Sequence, residues 1–225
     1  MKLQRFEEGS MRFYARNELE FNKGKFFVSV TTALDVATPQ QLINWYKYTS
    51  GYDIKKKMTM AAEFGTRLHD LVEASWENPN VEVPADLSDA YGHWLKLKKK
   101  HDIKCINAEE TIYHPELGYS GTLDIDGTFE GKRCIMDLKT GFYSIKTGWQ
   151  LAAYREAKAL QHPDEEFGMV GLQIHREGKK NQAYTYEHYD FCFQRFKDCM
   201  GIFVGLNYNK LAKMKWFFLD KYKGC

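Results

Sequence analysis

Residues 121–139 constrain this chain more than any other stretch. Gly121-Thr122-Leu123-Asp124 and Asp137-Leu138-Lys139-Thr140 flank a Glu130-Gly131 pair. A two-residue hairpin loop at Glu130-Gly131 pairs Phe129 with Lys132. Carried along both strands, that register sets Asp124 directly opposite Asp137. Directly opposed Cβ atoms lie about 4.5–5.5 Å apart, and like charges there repel. Two carboxylates so close need a cation between them or a shared proton. Lys139 falls two residues beyond Asp137, on the same strand face. Two acids and an amine converging on one spot point to a divalent-metal hydrolase.

The two faces of this hairpin agree with the register. One reads Thr122, Asp124, Asp126, Thr128 against Arg133, Ile135, Asp137, Lys139. The other reads Leu123, Ile125, Gly127, Phe129 against Lys132, Cys134, Met136, Leu138. A largely polar side and a largely apolar side predict a strand pair with one face on a core. A rival turn at Asp126-Gly127 has better hairpin chemistry, but it leaves very short strands and separates Asp124 from Asp137. The bland alternative is an ordinary hairpin whose polar face is solvated.

Two helices flank these strands in sequence. Downstream, Gln150 to Leu160 is rich in Ala, Leu, Glu and Lys and reads as a helix, on which Gln150 and Tyr154 share a face. Upstream, Ala61 to Glu73 reads as a helix with Leu68, Leu71 and Val72 as its buried stripe. His69 and Glu73 share a face there. A lone His on such a helix is often structural, and a lone Gln-x-x-x-Tyr carries no meaning by itself.

Taken in order, the pieces do carry meaning. His69 within Gly-Thr-x-Leu-His, then Gly-x-x-Asp, Asp-x-Lys-Thr and Gln-x-x-x-Tyr resemble the motif series of the RecB-like nucleases of the PD-(D/E)XK superfamily. The segment Phe27-Val28-Ser29-Val30-Thr31-Thr32-Ala33-Leu34 resembles a stretch near the start of the phage-encoded and mitochondrial-genome-maintenance-type exonucleases of that family. The likeness runs from about residue 27 to about residue 160. It implies a restriction-endonuclease-like α/β core, a central mixed sheet flanked by helices, and a metal-dependent DNA exonuclease acting on single strands or free ends.

The site then follows from charge, geometry and that resemblance. Asp124 and Asp137 are expected to ligate Mg²⁺ or Mn²⁺, hard cations that prefer oxygen. The resemblance makes His69 a metal ligand from a helix, which suits Mn²⁺ beside Mg²⁺, and makes the Leu138 backbone carbonyl another. Such a metal acidifies water and stabilises charge in the transition state. Lys139 orients the water and stabilises negative charge, or acts as base if its pKa is depressed. Gln150 and Tyr154 resemble residues that hold the DNA strand beside the metal. Glu73 either assists a metal or water or forms a surface salt bridge. Thr140 supports the strand end. Glu109 and Glu110 are assigned no chemistry.

Other readings stay open. Endonuclease or flap cleavage suits the same hairpin. So does an RNA substrate, since recognition of a 2′-hydroxyl leaves no short motif. A DNA-binding accessory of a recombination or replication complex is the non-enzymatic alternative. The Asp, Asp, Lys, His set argues against it, because uncompensated carboxylates disfavour phosphate.

The net charge of +2 excludes a generally basic nucleic-acid coat. The basic residues are nevertheless clustered, at Lys55-Lys56-Lys57, Lys96 with Lys98 to Lys100, Lys179-Lys180, and Lys210 to Lys223. Each cluster follows a phosphate backbone or is simply solvated surface. Cys105, Cys134, Cys192, Cys199 and Cys225 include no Cys-x-x-Cys pair. Some RecB-like nucleases hold an iron–sulfur cluster with one cysteine far upstream and three close together downstream. This spacing does not match, so no iron–sulfur cluster is expected. Reduced thiols and the lack of a signal or membrane-length apolar run predict a cytoplasmic protein with no membrane partner. Its size suits a stand-alone, phage-type enzyme working in host cytoplasm.

One α/β domain over residues 1–225 is the economical organisation. Short strands are predicted over 11–34 around a turn at Asn22 to Lys25. A helix follows Thr38-Pro39 through Trp45, and the His69 helix is broken by Asn78-Pro79-Asn80. A third helix, capped by Ser88, runs to Lys100. Strands are expected near 103–113, 119–129 and 132–139, then a loop from Gly141 to Gly148 before the Gln150 helix. Strands at Met169 to His175 and Ala183 to Tyr189 join through a turn at Gly178 to Asn181. A long amphipathic helix begins near Asp190.

Overall fold

The chain opens with a hairpin, β1 (Gln4–Glu8) and β2 (Met11–Ala15), which pair antiparallel. This is a computed structural model, and it describes residues 2–38, 40–141, 144–175 and 181–222. The strands expected over 11–34 are only partly present. Asn17 accepts the Glu20 amide and starts a short helix, α1 (Glu18–Asn22), whose first turn is acidic, as the helix dipole favours. β3 (Phe27–Ser29) is followed at once by α2 (Val30–Leu34). The β-branched run Val30-Thr31-Thr32 favours a strand locally. Burial of Val30, Thr32, Ala33 and Leu34 overrides that preference.

α3 (Gln40–Tyr48) and α4 (Gly51–Glu77) come next. Pro39 lies outside the described residues. α4 starts ten residues before the periodic stripe visible in the sequence, with Ser50 accepting the Asp53 amide at its N-cap. It stops at Asn78, as expected. α5 (Ser88–Lys100) follows a single turn at Ala85–Leu87. Leu87 therefore holds the cap position and Ser88 is already helical, which corrects its expected role. β4 (Lys104–His114), β5 (Tyr119–Phe129) and β6 (Lys132–Lys139) come close to their predicted bounds.

α6 (Lys146–Ala159) takes the end of the predicted 141–148 loop into its first turn. Residues 142 and 143 of that loop lie outside the described residues. β7 (Gly168–Gln173) and β8 (Gln182–Thr185) are shorter than predicted, and residues 178–180 of their connecting turn are also outside the described set. α7 (Tyr189–Lys213) ends where Lys215 takes φ 56. Trp216, Phe218 and Leu219 beyond it are buried, and the Trp216 indole donates to the Phe26 carbonyl.

The strands form one mixed sheet in the order β1-β2-β3-β5-β6-β7-β8, with β4 on β5. β5 to β6 is the predicted hairpin. Glu130 (φ 51) and Gly131 (φ 77) both sit in the left-handed region, the signature of a type I′ turn. The ladder runs from Phe129↔Lys132 to Ile125↔Met136, and the rival turn at Asp126-Gly127 does not form.

The ladder stops one step short of the two aspartates. β4 covers one edge of β5 from Tyr119 to Thr128. β3 and β6 share the other edge, β3 in parallel at Tyr119 and Ser120, β6 antiparallel from Ile125 onward. Residues 121–124 lie between them without a strand partner on that edge. β6 meanwhile continues along β7 through Asp137↔Gly171 and Lys139↔Gln173. The sheet thus forks at Asp124 and Asp137.

Both faces of this fork are covered. On one, Leu123 and Ile135 pack with Leu151, Ala153 and Tyr154 of α6 and with Phe196 and Met200 of α7. On the other, Ile125, Met136 and Leu138 pack with Leu68, Leu71 and Val72 of α4 and Trp94 of α5. The polar hairpin face is therefore not a solvated one. Asp126 and Asp137 are both fully buried.

Asp126 is charge-satisfied from below. Lys158 of α6, also buried, reaches Asp126 at 3.0 Å and Glu110 at 2.5 Å, and Arg133 reaches Asp126 at 2.9 Å. No helix among the described residues is long and apolar enough to cross a membrane.

Candidate active site

The fork gathers the predicted polar residues into two adjoining groups. The first lies toward α4. Asp124, released from the β5–β6 ladder, accepts the Leu138 amide on Oδ2 at 2.7 Å. Its carboxylate thus takes up a strand N–H just past the last bridged pair. The Leu138 carbonyl meets His69 Nε2 at 2.9 Å. This turns the other ring nitrogen, Nδ1, toward Asp124 Oδ2 at 3.6 Å and Glu109 Oε1 at 3.9 Å.

Glu109 is the residue that sequence reasoning passed over. It sits on β4 with φ 48, between the bridged positions Ala108↔Ile125 and Glu110↔Leu123, and so flanks Asp124. One donor atom each from His69, Glu109 and Asp124 lie within 4.8 Å of one another. With Glu73, Val72, Trp76, Ile125 and Leu138 they line a pocket of about 10 Å³, room for about one water-sized sphere. Imidazole and carboxylate donors at that spacing suit a hard or borderline divalent cation. The His69 Nε2 contact to a backbone carbonyl is the outer-shell bond that commonly orients a ligating imidazole.

The second group lies toward α6. Asp137 is fully buried; Lys139 Nζ reaches its Oδ2 at 2.6 Å and Gln150 Nε2 donates to its Oδ1 at 2.9 Å. Gln150 also lies 3.1 Å from the Tyr154 hydroxyl. The Tyr154 ring covers Gly121, where an added Cβ would come within 2.6 Å of ring carbon Cε1. Gly121 is therefore demanded by close approach. Gln150 and Tyr154 are 8% and 2% exposed. The structure places them under Asp137, inside the protein, and not on a surface open to a DNA strand. Thr140 packs against Gly65 of α4, the helix that carries His69.

The two groups share one electrostatic environment. Burial by itself would lower the His69 pKa, yet Asp124, Glu109 and Asp137 together push it up to about 9. Burial raises Asp137 to about 6, with Lys139 opposing and Asp124 adding to the rise. Burial likewise raises Asp124, against the pull of His69 and Lys139. Lys139 is raised in spite of burial, because Asp137 and Asp124 face it. Its side chain is 39% exposed, against none for Asp137. Burial, with Glu109 next, also raises Glu73 at the pocket rim.

No family model matches the chain, and no curated protein matches it. Among solved structures it is similar to a candidate exonuclease from Eubacterium rectale, with 14% identity, a TM-score of 0.47, and coverage of 89% of this chain and 85% of that one.

Proposed function

We propose that this chain is a RecB-like nuclease of the PD-(D/E)XK superfamily, a divalent-metal-dependent DNA exonuclease. One observation carries the reading. The sheet fork brings Asp124, Asp137 and Lys139 together with His69 from a separate helix, in the order and spacing of the motif series.

In this reading His69 Nδ1, Glu109 and Asp124 would hold Mg²⁺ or Mn²⁺, while the Leu138 carbonyl orients the imidazole through Nε2 and Asp137 lies in the adjoining group. The bound cation supplies Lewis acidity and a more acidic water. Lys139, held as an ammonium by two carboxylates, neutralises charge that grows on the phosphoryl oxygens. Asp137, whose carboxylate pairs with Lys139, would hold that ammonium beside the pocket. Gln150 and Tyr154 are positioning residues that fix the Asp137 carboxylate. Glu73 stands at the pocket rim.

End-labelled single-stranded DNA incubated with Mg²⁺ or Mn²⁺ tests the proposal, with Lys139→Ala alongside. Shortening by the wild type and loss of it in the variant support an enzyme. Equal, negligible degradation by both rejects it.

A further inference from the structure

α4 is 27 residues long, but the core holds only its second half. Its buried residues are Leu68, Leu71, Val72 and Ser75; from Gly51 to Arg67 none is buried. A helix of that length is marginal in water without a packed face. The Tyr46 hydroxyl of α3 meets Met58 Sδ at 3.6 Å and joins the two helices. Their outer surface is an unusual mixture. Tyr48 and Tyr52 are 88% and 78% exposed, and Met58 and Met60 about half exposed. Lys47, Lys55, Lys56 and Lys57 are exposed among them. Asp53 is the one acid between Leu42 and Ala62, and Ser50 engages it at the cap.

Part of this surface, through Met58 and Lys55, lines up with the candidate active site. At 3.6 residues per turn, Ala62, Met58 and Lys55 fall within about 40° of His69 around α4, and Lys55 lies about 21 Å along the axis. One face of the helix thus reads imidazole, small residue, thioether, ammonium, moving outward from the pocket.

We infer that the outer half of α4, with α3, is a track for single-stranded nucleic acid. That the track leads the strand to be cut at His69 rests on the nuclease reading above. Four lysines against two acids, Asp53 capped by Ser50 and Glu63 nearer the pocket, leave a net positive surface that matches a phosphate chain, and exposed tyrosine rings match the faces of unpaired bases. A second copy of the chain docked on this face would set lysine against lysine, which is repulsive.

The test uses the full chain in EDTA, so that binding is read without cleavage. Fluorescence anisotropy follows a labelled oligothymidylate as salt is varied. Lys55→Glu/Lys56→Glu/Lys57→Glu is expected to weaken binding at least about tenfold and flatten the log–log salt slope by about 2. Tyr48→Ala/Tyr52→Ala is expected to weaken binding with the slope unchanged. Wild-type affinity in both variants, or no binding by the wild type, overturns the assignment. So does sedimentation showing a wild-type dimer that the lysine variant dissociates. Hydrolysis of bis-p-nitrophenyl phosphate with Mn²⁺ separates this from the nuclease reading. The lysine variant keeps the wild-type rate if both hold. If no variant hydrolyses it yet oligothymidylate binding falls as described, the track stands and the nuclease reading fails.

Discussion

The Leu138 amide donates to Asp124 at 2.7 Å, across the point where the β5–β6 ladder has stopped. The Leu138 carbonyl meets His69 on its other side. One backbone residue therefore sets the distance between a strand carboxylate and a helix imidazole, and the pocket depends on that bridge.

On the nuclease reading, metal binding and chemistry fall on different residues. Glu109→Gln keeps size and polarity but removes a charge beside His69 and Asp124. Its Mn²⁺ affinity, measured by calorimetry, is expected to fall about tenfold or more, or about 1.4 kcal/mol. Lys139→Ala is expected to leave Mn²⁺ affinity within about twofold while lowering hydrolysis about 10²–10³-fold, the scale for losing one charge-stabilising group.

The buried cation under the hairpin is a stability element. Lys158 is 1% exposed between Asp126 and Glu110. Lys158→Met fills similar space but takes the cation from Glu110 and leaves Arg133 to neutralise Asp126. Urea denaturation is expected to show a loss of about 3–5 kcal/mol, as for other buried pairs broken on one side.

Gly131 isolates a backbone effect. It has φ 77, and nothing lies within 4 Å of the position a Cβ would take. Gly131→Ala therefore meets no clash and costs only its left-handed conformation, about 1 kcal/mol. A thermal melt several degrees lower than wild type checks this.

His114 gives a pH dependence. Its Nδ1 accepts the Glu116 and Leu117 amides in the turn before β5, so the folded state favours the neutral ring. Burial lowers its pKa, with Glu156 opposing. Its contribution is present above the unfolded value of about 6.5. It is lost as pH falls from there toward the folded value, because the unfolded chain takes the proton first. Urea midpoints at descending pH are expected to fall less steeply for His114→Asn.

The hairpin was legible because its turn chemistry and alternation agree, and both act within twenty residues. The hairpin register pointed to Asp124, Asp137 and Lys139, and the order of motifs added His69. Glu109 was not legible. Its place depends on the β4 register, set across a turn whose Gly118 takes φ 71. Carrying that register back from Tyr119↔His114 is the signal that finds it. Burial of the polar face was not legible because it depends on how α6 packs back over the strands and brings Lys158 to Asp126, 32 residues earlier in the chain. The early start of α4 was invisible because residues 51–60 carry no apolar stripe for a core.

β6 is paired on both edges from Cys134 to Met136, continues along β7 to Lys139 and is buried from Cys134 to Leu138, whereas the outer turns of α4 have no packed face. Amide hydrogen exchange should therefore divide the pocket by depth. Asp137 and Leu138 belong to the segment that opens last, while His69 rides one turn from a segment that opens first. Gentle heating or dilute urea would fray residues 51–67 first and leave the imidazole seated beside Leu68 until the packed half of the helix lets go.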